Sequence, residues 1–236
     1  MKQSKTWEQI TDILIKEIKE NTYKKDEKMP SENAMASRFN VPRTEIRRVY
    51  TRLKELGYIY SLQGYGSFFG GHREPVRLML TSDMSFSEKM KAQNIPYESR
   101  NICCKKIKYN HIIYEALGAS PEDDVYKITR LRIIHHEPAA IHTSYLCASH
   151  FPNLADEGKA ITSIYNYIKS AGYDSLIDGA CQMVIAPLSK KERELLGVSG
   201  YESGMILTGT CMDKNSKTVL ETSRTVYRCD KFIFTF

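Results

Sequence analysis

Four residues in a short window, Arg43, Thr44, Arg47 and Arg48, have the types and spacing to bind a polyanion. Arginine carries a planar fork of donors that pairs bidentately with phosphate or with guanine O6 and N7. From Arg38 to Lys54 there are six basic residues against one acid, Glu45, an electrostatic footprint suited to a nucleic-acid backbone. A second set lies further along the chain. Arg130 and Arg132 are two apart, so in a strand they share one face, and two like charges on one face want an anion between them. Ser85, Ser87 and Ser163 sit at helix starts, where free backbone N–H groups and the dipole favour phosphate or carboxylate. Glu221 and Tyr227, evenly spaced on another strand, offer partners to hydroxyls or an amine. Taken singly, basic residues on a helix are often only a solvated face and capping serines are common. The elements that carry these residues therefore have to decide between the readings.

Ile46, Val49, Tyr50, Leu53 and Leu56 recur at helical spacing and form one buried stripe. At about 100° per residue, Thr44, Arg47, Arg48 and Thr51 fall opposite that stripe, with Arg43 at its N-terminal flank. Upstream, Trp7, Ile10, Leu14 and Ile18 mark a first amphipathic helix, ended by the polar run from Asn21 to Lys28. Ser31 can N-cap a second helix in which Glu32 meets the dipole and Met35, Ala36 and Phe39 face inward. Asn40-Val41-Pro42 makes the turn, because Pro42 cannot continue one helix but can start the next. Gly57 closes the third helix. Two strand-like runs, Tyr58–Leu62 and Ser67–Phe69, then flank glycines that tolerate a tight turn. The order is helix, helix, turn, reading helix, wing.

This ordered series, with Trp7, Gln9-Ile10, Met29-Pro30-Ser31-Glu32, Phe39, Val41-Pro42-Arg43, Ile46-Arg47, Leu53, Gly57 and Gln63-Gly64-Tyr65-Gly66-Ser67-Phe68, resembles the winged helix of GntR-family regulators over the first third of the chain. The resemblance implies that Arg43 and Arg47 contact bases or phosphates, helped by Thr44, and that the Gln63-Gly64 wing tip enters the minor groove. Ser31, Glu32, Asn33, Arg48, Tyr65 and Gly66 complete the expected DNA-facing set. Three positions depart from the family pattern: Asn33 stands where Arg is usual, Pro42 where Ser is, and Glu45 where Thr is. Each change weakens a phosphate contact or shifts the preferred operator, and none removes the two reading arginines.

The polar stretch Gly70-Gly71-His72-Arg73-Glu74-Pro75 marks a boundary. The expected domains are 1–71, a winged helix-turn-helix, and 77–236, an α+β domain with a mostly antiparallel sheet, joined by a linker at 72–76. In the second domain Ser85–Glu88 and Ser189–Glu192 are capping boxes. Helices are expected from Ile112 to Leu117, stopped by Gly118, and from Ser163 to Ala171, ended by Gly172. Strands are expected over Arg100–Lys108, Val125–Ile134 and Ala139–Leu146, with a His136-Glu137-Pro138 turn between the last two and His135-His136 at a solvated tip. Met205–Met212 and Thr218–Tyr227 should pair across Asp213-Lys214-Asn215, and Phe232–Phe236 closes the chain.

Arg130-Leu131-Arg132, Glu137-Pro138, Tyr145-Leu146, Ser163-Ile164-Tyr165 and the closing Glu221 to Tyr227, Asp230 and Phe232 resemble the UTRA effector domain of the HutC branch of GntR regulators, whose fold is similar to chorismate lyase. Members of that branch sense small, often phosphorylated metabolites. The resemblance therefore implies that Arg130, Arg132 and the serines hold an anionic group, within an effector set of Ser85, Ser87, Arg130, Arg132, His142, Ser163, Tyr165, Glu221 and Tyr227. His142 replaces the Glu that many sugar-phosphate sensors carry, and imidazole accepts different hydroxyl patterns. Arg47-Arg48 and Phe234-Thr235-Phe236 also resemble PhnF-like regulators.

The chain's charge fits this reading. Residues 1–75 carry 14 Lys and Arg against 10 Asp and Glu, and residues 76–236 carry 20 against 18, so positive charge is denser in the front third. No apolar run approaches the roughly 18 residues of a membrane helix, and the start lacks a signal-peptide core, so a cytoplasmic protein is expected. Cys103, Cys104, Cys147, Cys181, Cys211 and Cys229 show no metal-ligand spacing. Neighbours such as Cys103 and Cys104 point to opposite faces of a strand. With no P-loop, nucleophile elbow or metal-ligand spacing, no enzyme is expected, and no cofactor is expected. The function expected is a homodimeric repressor released from an inverted-repeat operator by a small anionic metabolite. Two alternatives stand beside it: an enzyme of chorismate-lyase-like fold with an accessory DNA-binding domain, and a DNA-binding protein whose second domain only dimerises.

Overall fold

The computed structural model describes the chain apart from residues 1–4, 21, 25, 63, 71–74, 81–83, 199, 201 and 236. Gln63 of the expected wing tip and most of the expected 72–76 linker lie outside the described residues. The chain divides into two compact units, 1–74 and 75–236.

In the first unit three helices, α1 (Trp7–Lys19), α2 (Glu32–Phe39) and α3 (Arg43–Glu55), precede a hairpin of β1 (Ile59–Leu62) and β2 (Gly66–Phe69). The fully buried Ile10, Leu14, Ile46, Val49 and Leu53 knit α1 to α3, with Met35 of α2 and Ile59 and Phe69 of the hairpin in the same cluster. Thr6 and Gln9 form a capping box at α1, and the Ser31 hydroxyl accepts from the Ala34 N–H at 3.1 Å to start α2. Asn40 takes the left-handed conformation (φ 53°) that ends α2, and Pro42 is the N-cap residue of α3. The Tyr50 hydroxyl donates to the Pro30 carbonyl at 2.5 Å, pinning α3 to the start of α2.

The second unit is built on a six-stranded antiparallel sheet in the order β4-β5-β6-β9-β8-β7. The strands are β4 (Tyr97–Lys106), β5 (Val125–Ile134), β6 (Glu137–Cys147), β7 (Leu176–Pro187), β8 (Ser203–Asp213) and β9 (Val219–Arg228). A separate parallel pair joins β3 (Val76–Met79) to β10 (Phe232–Thr235). Five short helices fill in the rest: α4 (Phe86–Ala92), α5 (His111–Leu117), α6 (Leu154–Glu157), α7 (Ile164–Ser170) and α8 (Lys190–Leu196). Leu188 and Leu196 pack on Leu131, Ile133, Ile141 and Val226 of one sheet face. Ile164 and Ile168 of α7 pack on the other face, with Ile128 and Leu146.

Two sequence expectations need correcting. The β5–β6 turn is His135-His136, both at positive φ (52° and 66°), and not His136-Glu137-Pro138. Pro138 already lies inside β6, opposite Ile133, at a register shift between Arg132 and Ile133. A bulge is one of the few places where a central strand tolerates a proline. The other concerns strands that the sequence pattern hides, β3 and β7. β7 is exposed along most of its length, so it has no apolar alternation to betray it.

Candidate functional site

The first unit presents Arg43, Thr44, Arg47, Arg48 and Thr51 on the exposed side of α3, while Ile46, Val49, Tyr50 and Leu53 are buried beneath. The arginines are held by acids. Glu32 Oε2 accepts from Arg43 Nε at 2.7 Å and lies 3.8 Å from Arg47 Nε, and Glu45 accepts from Arg48 at 3.2 Å. Ser31 serves as the α2 cap, and Asn33 is exposed beside it. At the wing tip Gly64 and Gly66 have φ of +81° and +110°, which suit glycine. Between them Tyr65 is 72% exposed, a large ring with nothing over it.

The second unit holds a cavity of about 470 Å³. Its lining includes all nine expected effector residues: Ser85, Ser87, Arg130, Arg132, His142, Ser163, Tyr165, Glu221 and Tyr227. Strand periodicity puts five of them there, and the starts of α4 and α7 supply the four others. Arg130 and Arg132 of β5 point the same way, His142 of β6 is the register partner of Arg130, and Glu221, Ser223, Thr225 and Tyr227 alternate along β9. Leu78, Leu80, Phe86 and Lys89 also line it. The two guanidinium groups are deeply buried, at 1% and 3% exposure, which rules out the solvated-face reading for them.

Each arginine is only partly satisfied. Arg130 Nη2 donates to Ser144 Oγ at 2.6 Å, and Arg132 Nη1 donates to Ser99 Oγ at 2.5 Å and the Thr162 carbonyl at 3.0 Å. Arg132 lies 5.0 Å over the Phe86 ring. The Nε atoms of both arginines and Oε1 of Glu221 are buried without a hydrogen-bond partner. The serines differ in what they have left to offer. The Ser85 hydroxyl accepts from the Glu88 N–H, and the Ser85 N–H donates to the Glu88 carboxylate at 2.7 Å. The capping box thus occupies the Ser85 hydroxyl, the Ser85 N–H and the Glu88 N–H at the α4 start. Ser163 caps α7 through the Asn166 N–H at 3.3 Å, whereas the buried Ser87 has no capping duty.

Residues 6–69 match the family of bacterial regulatory proteins named gntR, and residues 92–233 match the UTRA domain. The chain belongs to the GntR family and carries a UTRA domain. It is a DNA-binding transcriptional regulator and not an enzyme. This GntR regulator is 27% identical over 228 residues to the HTH-type transcriptional repressor NagR of Bacillus subtilis, covering 96% of this chain and 91% of that one. It is 26% identical over 223 residues to the regulator TreR of the same organism, covering 94% and 92%. Among solved structures, PhnF from Mycobacterium smegmatis superimposes with a TM-score of 0.61 at 20% identity, covering 96% of this chain and 97% of that one. The last comparison speaks to fold alone. Among the described residues no helix is long and apolar enough to cross a membrane.

The electrostatics of the UTRA cavity follow from burial. Desolvation, reinforced by the neighbouring Arg132, pulls the Arg130 guanidinium down to about 9, and desolvation pulls Arg132 down to about 10. Burial, then the two arginines, hold the His142 imidazole well below 6.5, so it is neutral at physiological pH. Burial raises the Glu221 carboxyl against the pull of Arg130, and raises the Tyr227 phenol to about 12. Sequence reasoning missed the β7 contribution of Asp178, Cys181 and Met183 to the lining. Asp178 and Cys181 are three apart and reach the same cavity because a register shift lies between them. Between them Gly179 packs so tightly that a Cβ there would come within 2.2 Å of Thr210 Oγ1.

Proposed function

We propose that this regulator is a homodimeric repressor that leaves an inverted-repeat operator when a small anionic, phosphorylated metabolite fills the UTRA cavity. The reading α3 arginines would contact base edges and phosphates, with the Gly64–Gly66 tip in the minor groove. One observation carries the proposal: a single chain bears an exposed basic helix face and, in its other unit, two buried guanidinium groups with unpartnered Nε atoms lining a cavity. Buried donors of this kind favour an acceptor that bears charge. The repressor names of NagR and of the mannosyl-D-glycerate system repressor MngR, 25% identical over 232 residues, support the sign of regulation. A two-fold protein implies a two-fold site. For release, the metabolite must bind one dimer geometry better than the other.

The test starts by selecting duplexes from a random DNA pool with the full chain. Fluorescence anisotropy then measures affinity for the winning sequence. Arg43→Ala and Arg47→Ala should each weaken binding by about 1–3 kcal/mol if they read bases. Undiminished affinity in both would refute the reader assignment. Selected sites without two-fold symmetry would refute the dimer arrangement.

A further inference from the structure

The cavity wall contains both signs of charge, and each is incomplete. Arg130 and Arg132 each keep an unpartnered Nε, and Glu221 keeps an unpartnered Oε1. The arginines and the carboxylate do not cancel one another by direct pairing. Arg130 meets the carboxylate only through Ser144, which accepts from Arg130 and also hydrogen-bonds Glu221, while Arg132 is committed to Ser99 and Thr162. Among the described residues, the ionisable group within 4.0 Å of the Glu221 carboxylate is His142, whose Nε2 lies 3.7 Å from Oε1. That imidazole is kept neutral by burial and by the arginines, so it supplies no positive charge. A second acid, Asp178, stands in the lining on β7.

We propose that the natural ligand is a zwitterion, whose anionic group sits on Arg130 and Arg132 and whose protonated amine donates to Glu221 Oε1. This rests on the reading of the cavity as the effector site and goes beyond it in assigning the second group. An anion alone would complete the arginines and leave a buried carboxylate with an empty acceptor. A neutral hydroxyl would fill that acceptor only with an uncharged hydrogen bond in a low-dielectric wall, where charge-assisted hydrogen bonds are the strong ones. An ammonium group answers both needs at once. His142 stands beside Glu221, with its ring at hand for a neighbouring hydroxyl or N–H.

Three probes test this on the full-length chain by calorimetric titration at neutral pH: inorganic phosphate, 2-aminoethyl phosphate and 2-hydroxyethyl phosphate. The last two share the anion and the length and differ in the amine. The amine should bind at least about tenfold tighter than the alcohol, and Glu221→Gln should collapse that ratio towards one. The ratio is indifferent to any loss of affinity common to both probes, and it can be read in the wild-type chain without a variant. A wild-type ratio near one, or a ratio that survives Glu221→Gln, overturns the proposal while leaving an anion site standing. If none of the three probes binds, the anion reading of the cavity fails as well.

Discussion

Replacing Arg130 by Met should make the ligand-free protein more stable while removing its response to anions. Arg130 is 1% exposed, and its guanidinium is drawn from 12.5 to about 9. A displacement of that size means the folded state disfavours the charged form by roughly 4–5 kcal/mol at neutral pH. Methionine fills much of the same volume with apolar atoms. Against that gain stands the lost hydrogen bond to Ser144, worth about 1.5–3 kcal/mol for a charged donor. Substituting a poorly compensated buried charge by an apolar residue is commonly neutral or stabilising by about 1–4 kcal/mol. For a unit of this size each kcal/mol moves the melting temperature by about 2–4 °C. Scanning calorimetry in phosphate-free buffer should therefore show the Arg130→Met protein melting several degrees above wild type. Added phosphate should raise the wild-type melt, since a ligand of the folded state stabilises it, and leave the variant unmoved. A variant that melts several degrees below wild type without anion would show that Arg130 holds the fold together, and the site argument would lose its foundation.

Two further tests address other parts of the molecule. Glu32→Gln frees Arg43 from a 2.7 Å ion pair and adds about one net phosphate contact. The slope of log affinity for DNA against log salt should steepen by roughly 0.9, and an unchanged slope would mean that Glu32 does not restrain the reader. His142 sits well below 6.5 in the folded state, so as pH falls below about 6.5 the unfolded chain takes up a proton that the folded chain refuses. Stability contributed there is lost on acidification, by up to about 1.4 kcal/mol per pH unit. The difference between wild-type and His142→Asn denaturation curves should show this slope, and parallel curves from neutral pH to about 5 would contradict it.

Much of this architecture can be read from the amino acids. Capping boxes at Ser85 and Ser189, the left-handed stops at Gly118 and Gly197 and the alternation along β5 and β9 are local signals, and local signals survive into the fold. Period-two spacing is also why Arg130, Arg132, His142, Glu221 and Tyr227 face one cavity, which Ser85, Ser87, Ser163 and Tyr165 join from the starts of α4 and α7. What sequence conceals is long-range. Glu32 meets Arg43 across a turn, and no pattern within α3 announces that Arg43 is already paired. The depth of Arg130 and Arg132 depends on α4 and α7 closing over the sheet, whereas charge alone points to the surface. β7 escapes because its exposed residues lack alternation and its register shift breaks the parity that would group Asp178 with Cys181.

The parallel pair of β3 and β10 is a two-stranded piece of sheet whose Val76, Leu78 and Phe232 are buried in one core with Met90, Ile134, Ala140 and Met205. It starts at Val76, immediately after the junction of the two units at 74 and 75, and its Leu78 forms part of the cavity wall. The first described strand after the junction is thus core and cavity wall at once, so whatever fills the cavity touches the stretch of chain that arrives from the DNA-reading unit.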